Sequence, residues 1–103
     1  MSDGLLGGIE AGGTKFVLAV GESPSRVRAT HTIPTRDPSA TFAEAREWFE
    51  QQGKLCAIGI ASFGPVELDK ASSAWGHILK TPKPNWSDCD LAGFFGRAFS
   101  IPI

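Results

Sequence analysis

Gly7-Gly8-Ile9-Glu10-Ala11-Gly12-Gly13-Thr14-Lys15-Phe16-Val17-Leu18-Ala19-Val20-Gly21 is the stretch that decides the fold of this chain. Apolar runs at residues 5–9 and 16–20 predict two strands, and residues 11–14 between them predict a tight turn. Paired glycines adopt positive φ without a Cβ penalty, so we expect the two strands to form a β-hairpin. The same glycines expose backbone N–H groups, which allows the turn to approach a phosphate closely.

The side chains around this turn favour phosphate chemistry, with a ligand-free hairpin as the alternative. Thr14 supplies a hydroxyl donor, Lys15 a cation, and Glu10 a carboxylate suited to Mg²⁺ or its water shell. A P-loop is excluded because the order after Gly13 is Thr-Lys rather than Lys-Thr. A dinucleotide-binding fingerprint is excluded because a strand, not a helix, follows the glycines. The phosphate-binding device that remains is the β-hairpin loop of actin-like and hexokinase-like ATPases.

The middle of the chain predicts a third strand, a helix and a buried strand. Residues 26–33 alternate between apolar and polar, which predicts a strand with His31 as an ordinary strand residue. A helix follows from residue 38 to about residue 52, capped by Asp37 or Ser39. Its apolar face is predicted to consist of Phe42, Ala45, Trp48 and Phe49. Residues 55–61 are continuously apolar, which predicts a strand parallel to the first, buried on both faces, with Cys56 inside.

Two later loops carry groups that suit a small ligand. Residues 62–66 follow the buried strand at the edge where ligands of α/β sheets collect, with a plain Gly-Pro turn as the alternative. Residues 80–86 include Asn85 and Trp86, an amide and an aromatic face of the kind that hold a sugar. Trp86 either forms a wall of that site or packs beneath the loop.

The last third of the chain completes the predicted architecture. Residues 75–79 predict a short strand, and residues 87–90 can cap a final helix with an apolar face made of Leu91, Phe94, Phe95 and Phe99. Residues 101–103 predict a terminal strand. The predicted fold class is therefore α/β, with a mixed five-stranded sheet and helices packed on it.

Composition limits the classes of function. At 103 residues the chain is predicted to be one domain with a modest core. A formal net charge of −1 provides no basic surface for nucleic acid, and no apolar run has the length of a membrane helix. No signal peptide is recognisable before residue 5, and Cys56 and Cys89 lack metal-ligand spacing. We therefore expect a cytoplasmic protein without nucleic-acid or membrane partners.

The sequence Gly8-Ile-Glu-Ala-Gly-Gly-Thr-Lys-Phe16 resembles the first phosphate motif of the ROK family of sugar kinases (repressors, open reading frames, kinases). Glu10-Ala11 stands where that family usually has Asp-Ile, a departure similar to its fructokinase branch. Residues 59–69 and 75–86 also resemble that branch, so the resemblance runs in register over almost the whole chain.

This resemblance implies a ribonuclease-H-like lobe of the actin/hexokinase type. It also implies ATP-dependent phosphorylation of a hexose, with fructose converted to fructose 6-phosphate as the first expectation. Residues 1–103 would form the N-terminal lobe of a two-lobed parent. The implied cofactors are ATP and Mg²⁺, with the metal held through water by Glu10. The residues implied to bind the ATP phosphates are Gly8, Glu10, Ala11, Gly12, Gly13, Thr14 and Lys15. The residues implied to bind the sugar are Phe63, Gly64, Pro65, Asn85 and Trp86.

Other implied parts fall outside the chain. The resemblance implies a general-base aspartate just beyond Ile103 and a structural Zn²⁺ in the other lobe. We therefore expect no catalytic residue in this chain, and we expect the fragment alone to be inactive. The parent is implied to be a homodimer. Two alternatives stay open, namely a non-enzymatic sugar-sensing ROK regulator and an inactive structural fragment. Because the first strand is predicted at about residue 5, we do not expect the N-terminal helix-turn-helix that the resemblance implies for such regulators. The sequence does not select one hexose.

Overall fold

The computed structural model describes residues 4–103, which form six strands and two helices. The elements in chain order are β1 (Leu5–Ala11), β2 (Lys15–Gly21), β3 (Val27–Pro34), α1 (Pro38–Glu50), β4 (Leu55–Ser62), β5 (His77–Ile78), β6 (Cys89–Asp90) and α2 (Leu91–Phe99). The predicted hairpin, third strand and both helices are confirmed. β6 was not predicted, because a two-residue strand carries no periodic signal.

The main sheet has four strands in the order β3-β2-β1-β4. β1 pairs antiparallel with β2, and β1 pairs parallel with β4 through the α1 crossover. The predicted fifth strand at residues 101–103 is not formed, which corrects the expected strand number. The Ile58 N–H donates to the Pro102 carbonyl at 3.1 Å, so this segment does run beside β4. Because Pro102 has no N–H to donate in return, the ladder is not continued there.

Both helices cover one face of the sheet. Asp37 caps α1, its side chain accepting from the Ala40 N–H at 2.8 Å. Asp90 caps α2 in the same way, accepting from the Gly93 N–H at 2.9 Å. The buried side chains of both helices and of one sheet face belong to a single apolar cluster. The predicted apolar face of α1 is confirmed, with Phe42 and Phe49 buried inside that cluster.

β4 differs from its prediction because only one of its faces is covered. Leu55 and Ile58 are buried, whereas Cys56, Gly59 and Ala61 are exposed. An uninterrupted apolar run predicts burial on both faces, but among residues 4–103 both helices pack on the same face of the sheet. The prediction that Cys56 is buried is therefore wrong. The half-buried cysteine is Cys89.

The two thiols are expected to differ in reactivity. Burial, aided by the negative charge of Asp90, raises the pKa of Cys89 from 9.0 to about 11. The thiolate is the reactive form, so Cys89 should react slowly with a disulfide reagent at pH 8, while the exposed Cys56 reacts quickly. Stopped-flow thiol titration measures both rates. Cys56→Ser should remove the fast phase and Cys89→Ser should leave it, and a fast phase that persists in Cys56→Ser would contradict the assignment.

Candidate functional site

The glycine turn between β1 and β2 lies on the surface at the end of the hairpin. Gly13, Thr14 and Lys15 are exposed, and the Gly12 N–H closes the turn by donating to the Lys15 carbonyl at 2.9 Å. Neither Gly12 nor Gly13 belongs to the described residues with positive φ, so the conformational reason expected for the paired glycines is wrong. A Cβ on Gly12 would lie 2.8 Å from the Lys15 carbonyl oxygen. Close backbone approach is what requires this glycine.

Gly13 has a different role in the turn. A Cβ built on Gly13 meets no atom within 4 Å, so the space beside it is open. Gly13 is therefore not required by packing. An exposed backbone without a side chain is what a closely approaching anion needs, and Thr14 with its hydroxyl and Lys15 with its ammonium follow Gly13 directly in sequence. This geometry is compatible with binding a phosphate.

Glu10 is the carboxylate of the turn region. It is exposed on β1, in register with Val17 of β2 and Ala61 of β4. Within residues 4–103, no three His, Cys, Asp or Glu side chains are grouped so that they could hold a metal ion. Mg²⁺ usually takes one or two carboxylates and completes its octahedron with substrate phosphates and water. A single exposed carboxylate near the glycine turn fits that donor set.

The first predicted sugar loop is attached to the same end of the hairpin. The Phe63 N–H donates to the Ala11 carbonyl at 2.8 Å, so the loop after β4 begins beside the residue that precedes the glycine turn. Gly64 and Pro65 are exposed and joined by a cis peptide bond. The Pro65 carbonyl accepts from the Leu79 N–H at 2.8 Å, which holds the loop against β5. The predicted phosphate and sugar segments are thus neighbours.

Trp86 is a core residue and not a wall of an open site. Its side chain is 0% exposed, so within this structure no face of the indole is available for stacking on a sugar. The ring contacts Phe16, Phe42 and Phe63 at centroid distances of 5.7, 5.6 and 5.6 Å. Asn85 beside it is exposed, with φ of 72°. Of the two alternatives for Trp86, packing beneath the loop is the correct one.

Sequence reasoning missed the corner formed by Thr35 and Arg36, which joins β3 to α1. The Thr35 N–H donates to the Thr14 carbonyl at 2.9 Å, and the Thr35 hydroxyl donates to the Gly12 carbonyl at 2.7 Å. Two prolines bracket this segment, and they predict only that the strand ends. The sequence signal for this contact with the glycine turn was a threonine directly after a strand end. That signal is weak because threonine is common in strands.

An apolar pocket of about 400 Å³ lies between the loop after β4 and α2. Its lining includes Ile60, Gly64, Trp75, Leu91 and Ile103. Gly64 is one of the residues implied to bind the sugar, and Ser62 and Val66 of the same segment also line the pocket. No residue of the glycine turn lines this pocket. The pocket offers few polar groups, so it does not suit a ligand that carries many hydroxyl groups.

Comparison with known proteins identifies the family of this chain. The ROK family profile matches residues 6–103. The chain belongs to the ROK family. It is 42% identical to the fructokinase of Pediococcus pentosaceus over 99 residues, covering 96% of this chain and 34% of that protein. It is 40% identical to the fructokinase of Streptococcus mutans over 100 residues, covering 96% of this chain and 34% of that protein. The ROK chain thus spans about a third of the length of these curated relatives.

A solved structure shows the same fold. The ROK family glucokinase from Streptomyces griseus, in complex with glucose and AMPPNP, superposes with a TM-score of 0.73 at 23% identity, covering 96% of this chain and 31% of that one. The fold class is therefore the α/β, ribonuclease-H-like fold of the actin/hexokinase type, with four strands in its main sheet. Neither helix within residues 4–103 has the length and apolar character needed to cross a membrane.

Proposed function

We propose that residues 1–103 form the N-terminal lobe of a two-lobed sugar kinase that transfers the γ-phosphoryl group of ATP to a hexose. The observation that carries the proposal is the surface turn at Gly12 and the exposed Gly13, with the Phe63–Pro65 loop hydrogen-bonded to the same strand end. Phosphoryl transfer depends mainly on positioning and on neutralising phosphate charge, and a backbone turn held beside a second loop would supply positioning. Fructose is the first candidate substrate because both fructokinases above are about two-fifths identical to this chain.

Each group in the turn has a proposed role. Backbone N–H groups at Gly12 and Gly13 and the Thr14 hydroxyl donate to phosphate oxygens, and Lys15 adds positive charge. Gly8 and Ala11 support the turn from β1. When bound, Mg²⁺ would neutralise phosphate charge, and Glu10 would hold it through water. The general base is proposed to be an aspartate just beyond Ile103, and a structural Zn²⁺ is assigned to the other lobe.

The proposed sugar side uses the exposed groups of two loops. Gly64 and Pro65 present backbone to the sugar, Phe63 packs beneath them, and Asn85 offers its amide. Trp86 acts indirectly, by supporting both loops from the core. We propose a cytoplasmic homodimer on the family resemblance.

A coupled kinase assay tests the reaction. The full protein that contains this chain should phosphorylate fructose with Mg-ATP, in a panel that also includes glucose, mannose and N-acetylated amino sugars. The 103-residue chain alone should show no turnover, because it holds only one side of the cleft. Absence of turnover on every hexose, together with sugar-dependent DNA binding, would replace the kinase by a sugar-sensing regulator.

The metal role of Glu10 gives a separate prediction. Glu10→Gln keeps the size of the side chain and removes its charge, so the Mg²⁺ concentration for half-maximal activity should rise by roughly an order of magnitude if one carboxylate helps to hold the ion. Glu47→Gln is the matched control, since Glu47 is an exposed carboxylate on α1. Titration of activity with Mg²⁺ at saturating ATP measures the effect. Equal Mg²⁺ dependence in both variants would remove Glu10 from the metal site.

A further inference from the structure

The glycine turn is hydrogen-bonded to Thr35, a residue that lies outside the β1–β2 hairpin. Thr35 makes two hydrogen bonds to the turn, from its N–H to the Thr14 carbonyl at 2.9 Å and from its hydroxyl to the Gly12 carbonyl at 2.7 Å. These bonds restrain the residues on both sides of Gly13, where a Cβ would meet no atom within 4 Å. An exposed turn of two glycines has few internal restraints, because glycine has the largest backbone freedom. Thr35 therefore adds two restraints to those that the paired strands and the Gly12–Lys15 hydrogen bond already impose on the turn.

Thr35 can supply that restraint because the next residue is fixed by the core. The Arg36 N–H donates to the Thr41 hydroxyl oxygen at 2.8 Å, and the Arg36 carbonyl accepts from the Trp86 indole N–H at 2.9 Å. Thr41 and Trp86 are both 0% exposed. The backbone of Arg36 is thus held on both sides by fully buried side chains. Thr35 joins this rigid point to the surface turn.

We propose that Thr35 is a positioning residue for the phosphate-binding turn. Its hydroxyl holds the Gly12 carbonyl, and so keeps the neighbouring N–H groups aimed at the phosphates of the nucleotide. The proposal rests on the proposed kinase function for its kinetic consequence. The claim that the hydroxyl orders the turn rests on the structure alone.

Loss of this hydroxyl should affect the turn more than the fold. Gly12 is partly exposed, so water is expected to replace the missing donor to its carbonyl and to leave little desolvation penalty. Thr35→Val keeps the shape of the side chain and removes the donor, while Thr35→Ser keeps the donor. Thr30→Val makes the same chemical change at an exposed threonine of β3 away from the turn, where it pairs with Ala19.

Steady-state kinetics of the full protein is the first test. Thr35→Val should lower kcat/KM for ATP by about tenfold, as expected for the loss of one well-placed restraint worth about 1.4 kcal/mol. The KM for the sugar should stay within about twofold, because the loops that carry Asn85 and Gly64 keep their own bonds. Thr35→Ser should restore most of the activity, and Thr30→Val should match the unaltered protein. A uniform change in both KM values, or no rescue by serine, would overturn the positioning role.

Amide hydrogen exchange separates this proposal from the proposed function. In Thr35→Val, the N–H groups of Gly12 and Thr35 should exchange about tenfold faster, while those in the middle of β1 keep their protection. Thr35→Ser and Thr30→Val should leave both sites unchanged. If the protein phosphorylates no sugar but exchange changes as described, the kinase function fails and the ordering of the turn stands. Unchanged exchange at Gly12 in Thr35→Val would overturn the ordering of the turn, whatever the kinetics.

Discussion

Replacing Gly13 by valine is expected to lower kcat/KM for ATP in the proposed kinase by at least about 100-fold. The reason is that a branched side chain would occupy the open space beside the turn, which is where a phosphate would have to approach the backbone. Stability should hardly change, because a Cβ at this position meets no protein atom within 4 Å. Kinetics with Mg-ATP and thermal unfolding of the same preparation measure the two effects. Retained affinity for ATP would show that the turn does not contact phosphate.

Two further variants isolate the cause. Ser25→Val introduces the same side chain in the exposed turn between β2 and β3, at the opposite end of the hairpin, and should leave both activity and stability unchanged. Gly12→Ala should instead reduce stability, since its Cβ would lie 2.8 Å from the Lys15 carbonyl oxygen. A stable Gly12→Ala protein with an intact turn would contradict the close-approach explanation for that glycine.

Replacing Trp86 by alanine is expected to lower the free energy of unfolding by about 3–5 kcal/mol, the usual cost of removing a fully buried large aromatic side chain. Trp86 belongs to the apolar cluster and lies among rings contributed by β2, α1 and the loop after β4. The substitution also removes the indole N–H that donates to the Arg36 carbonyl. Urea unfolding of the full protein, followed by circular dichroism, measures the loss.

The size of this effect depends on burial, and two comparisons test that dependence. Trp75 is only partly buried, so Trp75→Ala should cost clearly less than Trp86→Ala. Trp86→Phe keeps much of the ring volume but leaves the Arg36 carbonyl without its donor, so an intermediate loss is expected. A loss at Trp86 as small as that expected for a half-buried side chain would contradict its burial, and would restore it as a candidate wall of the sugar site.

Local patterns were sufficient to place most elements of this fold. The glycine turn between two apolar runs predicted the β1–β2 hairpin, and Asp37 before Pro38 predicted the start of α1. The apolar spacing in residues 91–99 predicted α2. These features depend on neighbours within a few positions in the chain, so they are visible in sequence. The phosphate motif itself was identified in the same way, although its roles stay a prediction.

Properties that depend on distant parts of the chain were harder to predict. The apolar run of β4 does not show which of its faces a helix will cover, and the exposed Cys56 follows from that. A proline in residues 101–103 permits a strand at an edge, but only the packed structure shows that the ladder stops after one hydrogen bond. Tryptophan is a residue type that often binds ligands, but Trp86 is fully buried in the core, and its type alone does not show this.

The sequence by itself therefore determined the hairpin, the helices, the α/β class and the family motif of this chain, because each rests on short-range spacing and residue type. Only the tertiary structure decided the burial of Trp86, the open face of β4 and the role of Thr35. The bonds from Thr35 to Gly12 and from Trp86 to Arg36 span 23 and 50 residues. Contacts across such separations are set by how the sheet, the helices and the loops pack together, and no local pattern encodes them.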